Sequence, residues 1–544
     1  MIEKYSSEPR HFNRTLLHRG YCLSSRCPDL ANTTHGDWFS SCAQTQEESL
    51  GLKLDLQSYH CRHTNQASEA QYRAPGDTIF LWVIAALLAL NVLGTLYDVK
   101  VADEKKNKIL VSWSIRSNWQ SLKNTLQEHK DPRVERLSSL AGFKAMFHLL
   151  FIVGHVMGVY HQVFLSNPET VEKLYYQSSF YFLRNGQLAL QAFTMISSFL
   201  YTQGQINSKK STYFSQLPLA VLKRIARFLP VHLVVVGFAA TWWRYTGDGP
   251  LWPNLVLQES DVCRRKFLWH ALFLNNLVDN DDHCLPPTWS VAADLQLFVA
   301  AYLLMSLLTM TGRKTIRVLW MLFIVFCVLN GLLAYWNEWE SMIFIALPEN
   351  IRLFFRGSRS FRNFYLSPLT NVPAYLLGII WAYMNKHVQE QGIKLSNSMK
   401  LLFFCCYHLS FPLMISWIMC GEWFFERRSP LTTAVYAAIE RPIFLILLTI
   451  YAIGLTRNLD NLPGRLALWR YWRPLDRLTL PVLTVHWCVI KTLLAYRRGL
   501  IDANAYNLTT DTLTTIFFSY CLAVPLTLLV EMPLIKIYNA MEKK

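Results

Sequence analysis

Ile79-Phe-Leu-Trp-Val-Ile-Ala-Ala-Leu-Leu-Ala-Leu-Asn-Val-Leu-Gly-Thr-Leu-Tyr97 holds no charged residue. As a helix, a stretch of this length covers roughly 30 Å, the thickness of the hydrocarbon core of a bilayer. Few charges precede it, whereas Lys100, Lys105, Lys106 and Lys108 follow. Basic residues gather on the cytosolic side of a span. Residues 1–77 are therefore expected outside, with a first span at 78–98 and a cytosolic linker over 99–136, broken at Asp131–Pro132.

Outward from this block, further apolar runs stand at roughly 141–160, 188–206, 228–246, 287–309, 317–336, 372–385, 400–420, 435–456, 478–496 and 512–534. With the first, they predict an all-α polytopic membrane protein of about eleven transmembrane helices. The inward loops then carry Lys209, Lys210, Lys223, Arg224 and Arg227; Arg313, Lys314 and Arg317; and Arg465, Arg470, Arg473 and Arg477. A basic cytosolic tail over 537–544 ends in Lys543 and Lys544. The outward loops are mixed or acidic, as at Asp279, Asp281 and Asp282, except one that holds Arg352, Arg356, Arg359 and Arg362. Asn13-Arg-Thr, Asn32-Thr-Thr and Asn507-Leu-Thr, the glycosylation sequons, all fall on the expected outer side.

Composition agrees with this reading. Of 544 residues, 52% are hydrophobic and 17% charged. The net charge of +16, from 53 basic and 37 acidic residues, is spread over separate short loops and does not form one basic face. That excludes nucleic acid as the partner and leaves the lipid bilayer. The compartment is the endoplasmic reticulum or the plasma membrane. No apolar stretch precedes Cys22, so export of the first 77 residues falls to the first span as a reverse anchor, or the sequence is short at its N-terminus.

Of twelve cysteines, Cys22, Cys27, Cys42 and Cys61 precede the first span, and Cys263 and Cys284 share one polar loop. Paired cysteines in polar segments outside a membrane predict disulfides: a Cys263–Cys284 bridge, and pairing of the other four among themselves in a small ectodomain. Zinc is the poorer reading, because neither a CxxC spacing nor a nearby histidine pair accompanies them, and no metal site is expected.

Ionisable residues inside spans are expensive to bury, and function is their default explanation. In Ala141-Gly-Phe-Lys-Ala-Met-Phe-His-Leu-Leu-Phe-Ile-Val-Gly-His155, the side chains of Lys144, His148 and His155 fall within about 60° of one another on one helical face. A deep histidine can take and return a proton near neutral pH. The plainer reading has Lys144 snorkelling to the interface and the histidines satisfying nearby carbonyls. Arg224 and Arg227 share a face at the mouth of the fourth span; they suit a phosphate, or are ordinary flanking charge. Asp294 and Gln296 enter an apolar run and need partners, and His486 and Glu531 are further polar residues near the last two spans.

Together these segments resemble the acyltransferase-3 family. Ala141 to His155 is similar to the family's opening signature, Asp-Gly-Leu-Arg followed eleven residues later by His. Lys223-Arg-x-x-Arg-x-x-Pro230, Pro287-x-Trp-Ser-x-x-x-Asp294, Tyr365 to Gly378, Leu483-Thr-Val-His486 and Glu531-Met-Pro533 follow in the family's order. The Cys-containing ectodomain, Thr95-Leu-Tyr-Asp98 and Gly249-Pro-Leu-Trp252 resemble the animal "nose resistant to fluoxetine" branch. Four positions depart: Ala141 and Gln191 stand where the family has an acid, and Lys144 and Asn371 where it has arginine.

The resemblance implies one span plus a ten-helix acyltransferase-3 domain over 137–536. It also implies a non-aminoacyl acyltransferase that takes an acyl group from acyl-CoA, with no bound cofactor, to a hydroxyl on a lipid or small molecule. His155 would be the base, with Lys144 and Asp294 beside it and Arg224 and Arg227 on the donor's phosphates. His148, Gln191, Gln296, His486 and Glu531 would be accessory. One cavity open to the cytosol is then expected to join Lys144, His155, Arg224, Arg227 and Asp294. The departures favour an alternative, in which the fold handles or transports lipids and lipophilic small molecules, as the nose-resistant branch is associated with doing. A structural or receptor role for the ectodomain is a third reading.

Overall fold

The computed structural model describes residues 2–15, 27, 34–48, 51, 53–57, 59, 74–127, 137–207, 213–279, 281–311, 315–390, 396–457, 459 and 461–542. Among the described residues the protein is all helical, apart from one isolated bridge between Leu165 and Ile501. The longer helices are α1 (His35–Glu47), α2 (Pro75–Lys100), α3 (Ser138–Tyr160), α4 (Gln187–Asn207), α5 (Leu217–Ala240), α6 (Gln258–Ala271), α7 (Trp289–Thr311), α8 (Thr315–Asn337), α9 (Pro368–Glu390), α10 (Asn397–Glu426), α11 (Pro430–Thr456), α12 (Thr479–Ala495) and α13 (Ala505–Leu526). A π-helical turn, Thr527–Glu531, carries α13 on into Met532–Glu542.

Each of the eleven expected blocks falls on one of these helices, although α5 ends at Ala240, earlier than the apolar run suggested. Among the described residues, seven helical stretches are long and apolar enough to cross a membrane by length and composition. They contain α2, α3, α7, α8, α10, α11 and α13. The other four, α4, α5, α9 and α12, are shorter or more polar. α4 buries Gln187, Gln191 and Gln203, and α5 carries Arg224 and Arg227. Polar residues held inside a bundle in this way lower a helix's hydropathy without exposing charge to lipid. On α2 the apolar side chains face outward, Trp82 and Leu93 among them, as lipid contact requires.

Close approach between helices depends on glycine at two places. A Cβ on Gly378 of α9 would lie 1.9 Å from Ser198 Oγ and 2.2 Å from Met195 O of α4, which packs extensively on α9. A Cβ on Gly142 of α3 would lie 1.9 Å from Ala467 O. Small residues let helix backbones meet where no hydrophobic effect drives them together.

Two disulfides are formed, Cys27–Cys42 and Cys263–Cys284. Cys22, Cys61, Asn32, Lys209, Lys210, Arg313, Lys314, the Asp131–Pro132 break and the Lys543–Lys544 end lie outside the described residues. In the linker, Lys108–Ser112 and Ile115–Lys123 are helices. Asn118 Nδ2 donates to Leu528 O (2.9 Å) and Asn91 Nδ2 of α2 to Leu529 O (3.0 Å), which ties α2 and the linker to the π-turn after α13.

Candidate active site

His155 of α3 meets His486 of α12. His155 Nδ1 lies 2.8 Å from His486 Nε2, with the rings stacked at 5.1 Å. His486 Nδ1 lies 2.9 Å from Val482 O. A carbonyl only accepts, so His486 carries its proton on Nδ1 and offers the lone pair of Nε2. His155 must then donate from Nδ1, which leaves its own Nε2 unprotonated. Phe151 and Trp487 pack edge-on against the His155 ring at 4.0 and 5.4 Å and fix its plane. His148, two turns earlier on the same face of α3, is buried, and neither of its nitrogens has a partner among the described residues. Its ring lies 6.3 Å from His486.

His155 lines a cavity of ≈ 160 Å³. The rest of its wall comes from residues 150–187, 283–289, 342–366 and Trp487, so it sits at the bundle end whose loops the sequence assigns to the outer side. Phe354 and Phe355 in that wall hold left-handed backbone, φ 51° and 55°. For a phenylalanine this conformation costs on the order of 1–3 kcal/mol, a strain typical of ligand-contacting loops. His283, in the same wall, is pushed down to about 3 by burial and by the neighbouring Lys266.

The five residues expected to share a cavity stand in four places: His155 at the cavity, Lys144, the Arg224–Asp294 pair, and Arg227. Lys144 lies eleven residues before His155, about 16 Å along the helix. It pairs with Asp476 at 2.7 Å, an acid on the short helix Trp472–Arg477. Arg224 binds Asp294 through Nε (3.1 Å) and Nη2 (2.6 Å), and Ser197 Oγ joins both side chains (2.8 and 3.1 Å). Arg227 is exposed, with no ion pair or hydrogen bond among the described residues; Glu531 and Arg477 lie near it. None of Lys144, Arg224, Arg227 and Asp294 belongs to the wall of the His155 cavity. Lys144 is neutralised by Asp476 and Arg224 by Asp294.

The accessory residues are placed as follows. Glu531, in the π-turn, is buried 3.7 Å from Arg477. Gln296 Nε2 donates to Phe273 O (2.7 Å) and pairs with Asn276. Gln191 Nε2 donates to Asn371 Oδ1 at 2.5 Å. The two positions where the resemblance has an acid and an arginine thus touch, and an amide pair occupies the place of a charged one. Among the described residues, no group of three or more His, Cys, Asp or Glu side chains is arranged to hold a metal. Of the sequons, Asn13 Oδ1 accepts from Thr15 N and Oγ1, and Asn507 lies in the first turn of α13.

Sequence reasoning missed Asp476, Arg184, Gln187, His283 and the buried Glu440–Arg441 on α11. Arg441 Nη1 donates to Thr370 O (2.8 Å), and Glu440 accepts from Gln187 Nε2 (2.6 Å). Glu440-Arg441-Pro442 stands inside an apolar block and was accessible to the rule that picked out His148.

The family model for the acyltransferase-3 group, described as "Acyltransferase domain", matches residues 137–532. The chain belongs to the acyltransferase-3 family. It is also similar to "Nose resistant to fluoxetine protein 6" of Caenorhabditis elegans, 21% identical over 584 aligned residues. That match covers 96% of this chain and 66% of the worm protein, so the chain spans just under two thirds of its relative's length. No solved structure matches. Acyltransferase-3 membership suggests acyl transfer in a multi-pass membrane protein.

Proposed function

We propose that this protein transfers an acyl group from acyl-CoA to a hydroxyl acceptor, with His155 as general base. The observation that supports this reading is the Val482 O–His486–His155 hydrogen-bond chain, which leaves the lone pair of His155 Nε2 on a residue that lines a cavity. The acceptor hydroxyl gives its proton to Nε2 as its oxygen attacks the thioester carbonyl. The carbon–sulfur bond then breaks, and the departing thiolate takes the proton back. While protonated, His155 shares its charge through Nδ1–H with His486 Nε2, much as the orienting acid does in a serine triad, although this partner is neutral. Arg227, an unpaired cation among the described residues, suits the donor's phosphates. Arg224, already held by Asp294, positions the helix mouth.

The test is thioester cleavage and transfer by the purified protein. His155→Ala should lower the rate about 10²- to 10⁴-fold with insertion and folding intact. A His155→Ala protein that turns over at the wild-type rate would sink the proposal. The neutral Gln191–Asn371 pair favours the second reading, carriage of lipophilic molecules without chemistry. That reading would hold if the purified wild type bound such molecules and cleaved no thioester.

A further inference from the structure

Arg184 ends the short helix Tyr181–Arg184 and lines the His155 cavity. It is buried, and the faces of Tyr175, Tyr181 and Phe425 lie 5.2, 4.8 and 4.8 Å from its guanidinium carbon. Its Nη2 donates to Ile343 O. Its Nε and Nη1 have no partner, and among the described residues no carboxylate pairs with it. Ring faces attract a cation but accept no conventional hydrogen bond, so two donors of a buried charge are left open. A buried charge without a counter-charge is one of the costlier things a fold can hold.

The unpartnered atoms cluster. Gln162 Nε2, Gln187 Oε1 and His283 Nε2 are likewise buried without partners among the described residues, and all three residues line the same cavity. A cavity meant to stay dry would be lined by apolar atoms alone. The rest of this wall is mostly apolar, with Phe355, Phe361, Trp289 and Tyr365 among its aromatic members. Its volume of ≈ 160 Å³ is close to the roughly 150 Å³ at which an apolar cavity admits one benzene ring.

We propose that this cavity is a binding site for a small organic carboxylate: a body of about one ring held among the aromatic side chains, with its carboxylate on Arg184. The open Nε–H lies on the edge it shares with Nη2, the edge by which Arg224 holds Asp294, and one cation balances one negative charge. The acceptor in the acyl-transfer reading is then a hydroxy acid whose hydroxyl reaches His155 Nε2. That last step rests on the proposed function; the carboxylate site does not.

The experiment compares phenylacetate with phenylacetamide, which has the same body without the charge, by equilibrium dialysis against the purified full chain in lipid nanodiscs. Phenylacetate should bind at least about tenfold more tightly to the wild type. Arg184→Gln should abolish that preference, and Arg184→Lys, which keeps the charge but loses the fork, should retain part of it. The lysine variant and the two ligands on wild-type protein keep the test informative if Arg184→Gln does not fold. Equal binding of the two ligands to the wild type, binding of neither, or a preference that survives in folded Arg184→Gln overturns the proposal. A wild type that prefers phenylacetate but transfers no acyl group would retain the site and remove only the acyltransferase reading.

Discussion

Gln191 and Asn371 are both buried; Gln191 Nε2 donates to Asn371 Oδ1, which also accepts from Arg441 Nη1 (3.4 Å), while Asn371 Nδ2 donates to Ser367 O (2.6 Å). Removing Asn371 leaves Gln191 Nε2 in the core without that acceptor, which costs about 1–3 kcal/mol, whereas removing Gln191 leaves Asn371 with its other two bonds. Asn371→Ala should therefore destabilise by more than Gln191→Ala, and the double variant by less than the sum. Unfolding of the purified variants reads this coupling; strictly additive effects would show that the contact is incidental. At this scale the residues that share a helical face are legible in the sequence, but their partners are not. Lys144 and His155 share a helical face, yet Lys144 answers to Asp476, 332 positions away, and His155 to His486, 331 positions away. Spacing along one helix gives direction, and nothing in it says which other helix lies opposite.

At the scale of elements, the loop that carries His283 is held by an unusual set of charges. Lys266 Nζ donates to Asp279 O (2.6 Å) and Asp282 O (2.7 Å), and Arg356 reaches Asp282 (2.7 Å) from the loop that broke the charge rule. That arginine-rich loop therefore meets the acidic outer loop, with Arg362 on Asp281 at 2.8 Å as well. His283 sits against Phe354 and Phe361, where burial, and then Lys266, hold it down to about 3 from its ordinary 6.5. Below about pH 6.5 the unfolded chain takes up a proton that the folded loop refuses until about 3, so stability is fully present above 6.5 and declines as pH falls through that window. The melting temperature should drop between about pH 7 and pH 5, and His283→Gln should flatten the drop. An unchanged slope in the variant would remove His283 as its source. Helices themselves were legible, because apolar length is written locally. Their polar members, α4 and α5, look less like spans because they carry the buried polar clusters.

Across the whole molecule, the first residues of the chain close onto loops far along it. Buried Glu172 accepts from Tyr5 Oη (2.5 Å), Phe12 N (2.8 Å) and Arg14 Nη2 (3.0 Å). Asn13 N donates to Glu349 (3.0 Å), and Arg10 pairs with Glu426. Phe12 is buried against His161, itself in the cavity wall. Glu172→Ala removes the shared acceptor, and hydrogen exchange over residues 2–15 should rise by at least about tenfold while that of α3 and α12 stays unchanged. Unaltered exchange at 2–15 would show that the other contacts suffice.

The sequence by itself determined the membrane class, the positions of the helices, the Cys263–Cys284 pair and the family, since hydrophobic length, turn residues and motif order all act over short stretches of chain. Only the tertiary structure decided which charges neutralise each other, which histidine holds His155 in its tautomer, and that an unpaired Arg184 stands in the wall beside it. Those facts depend on contacts between helices hundreds of residues apart, and local periodicity carries no record of them.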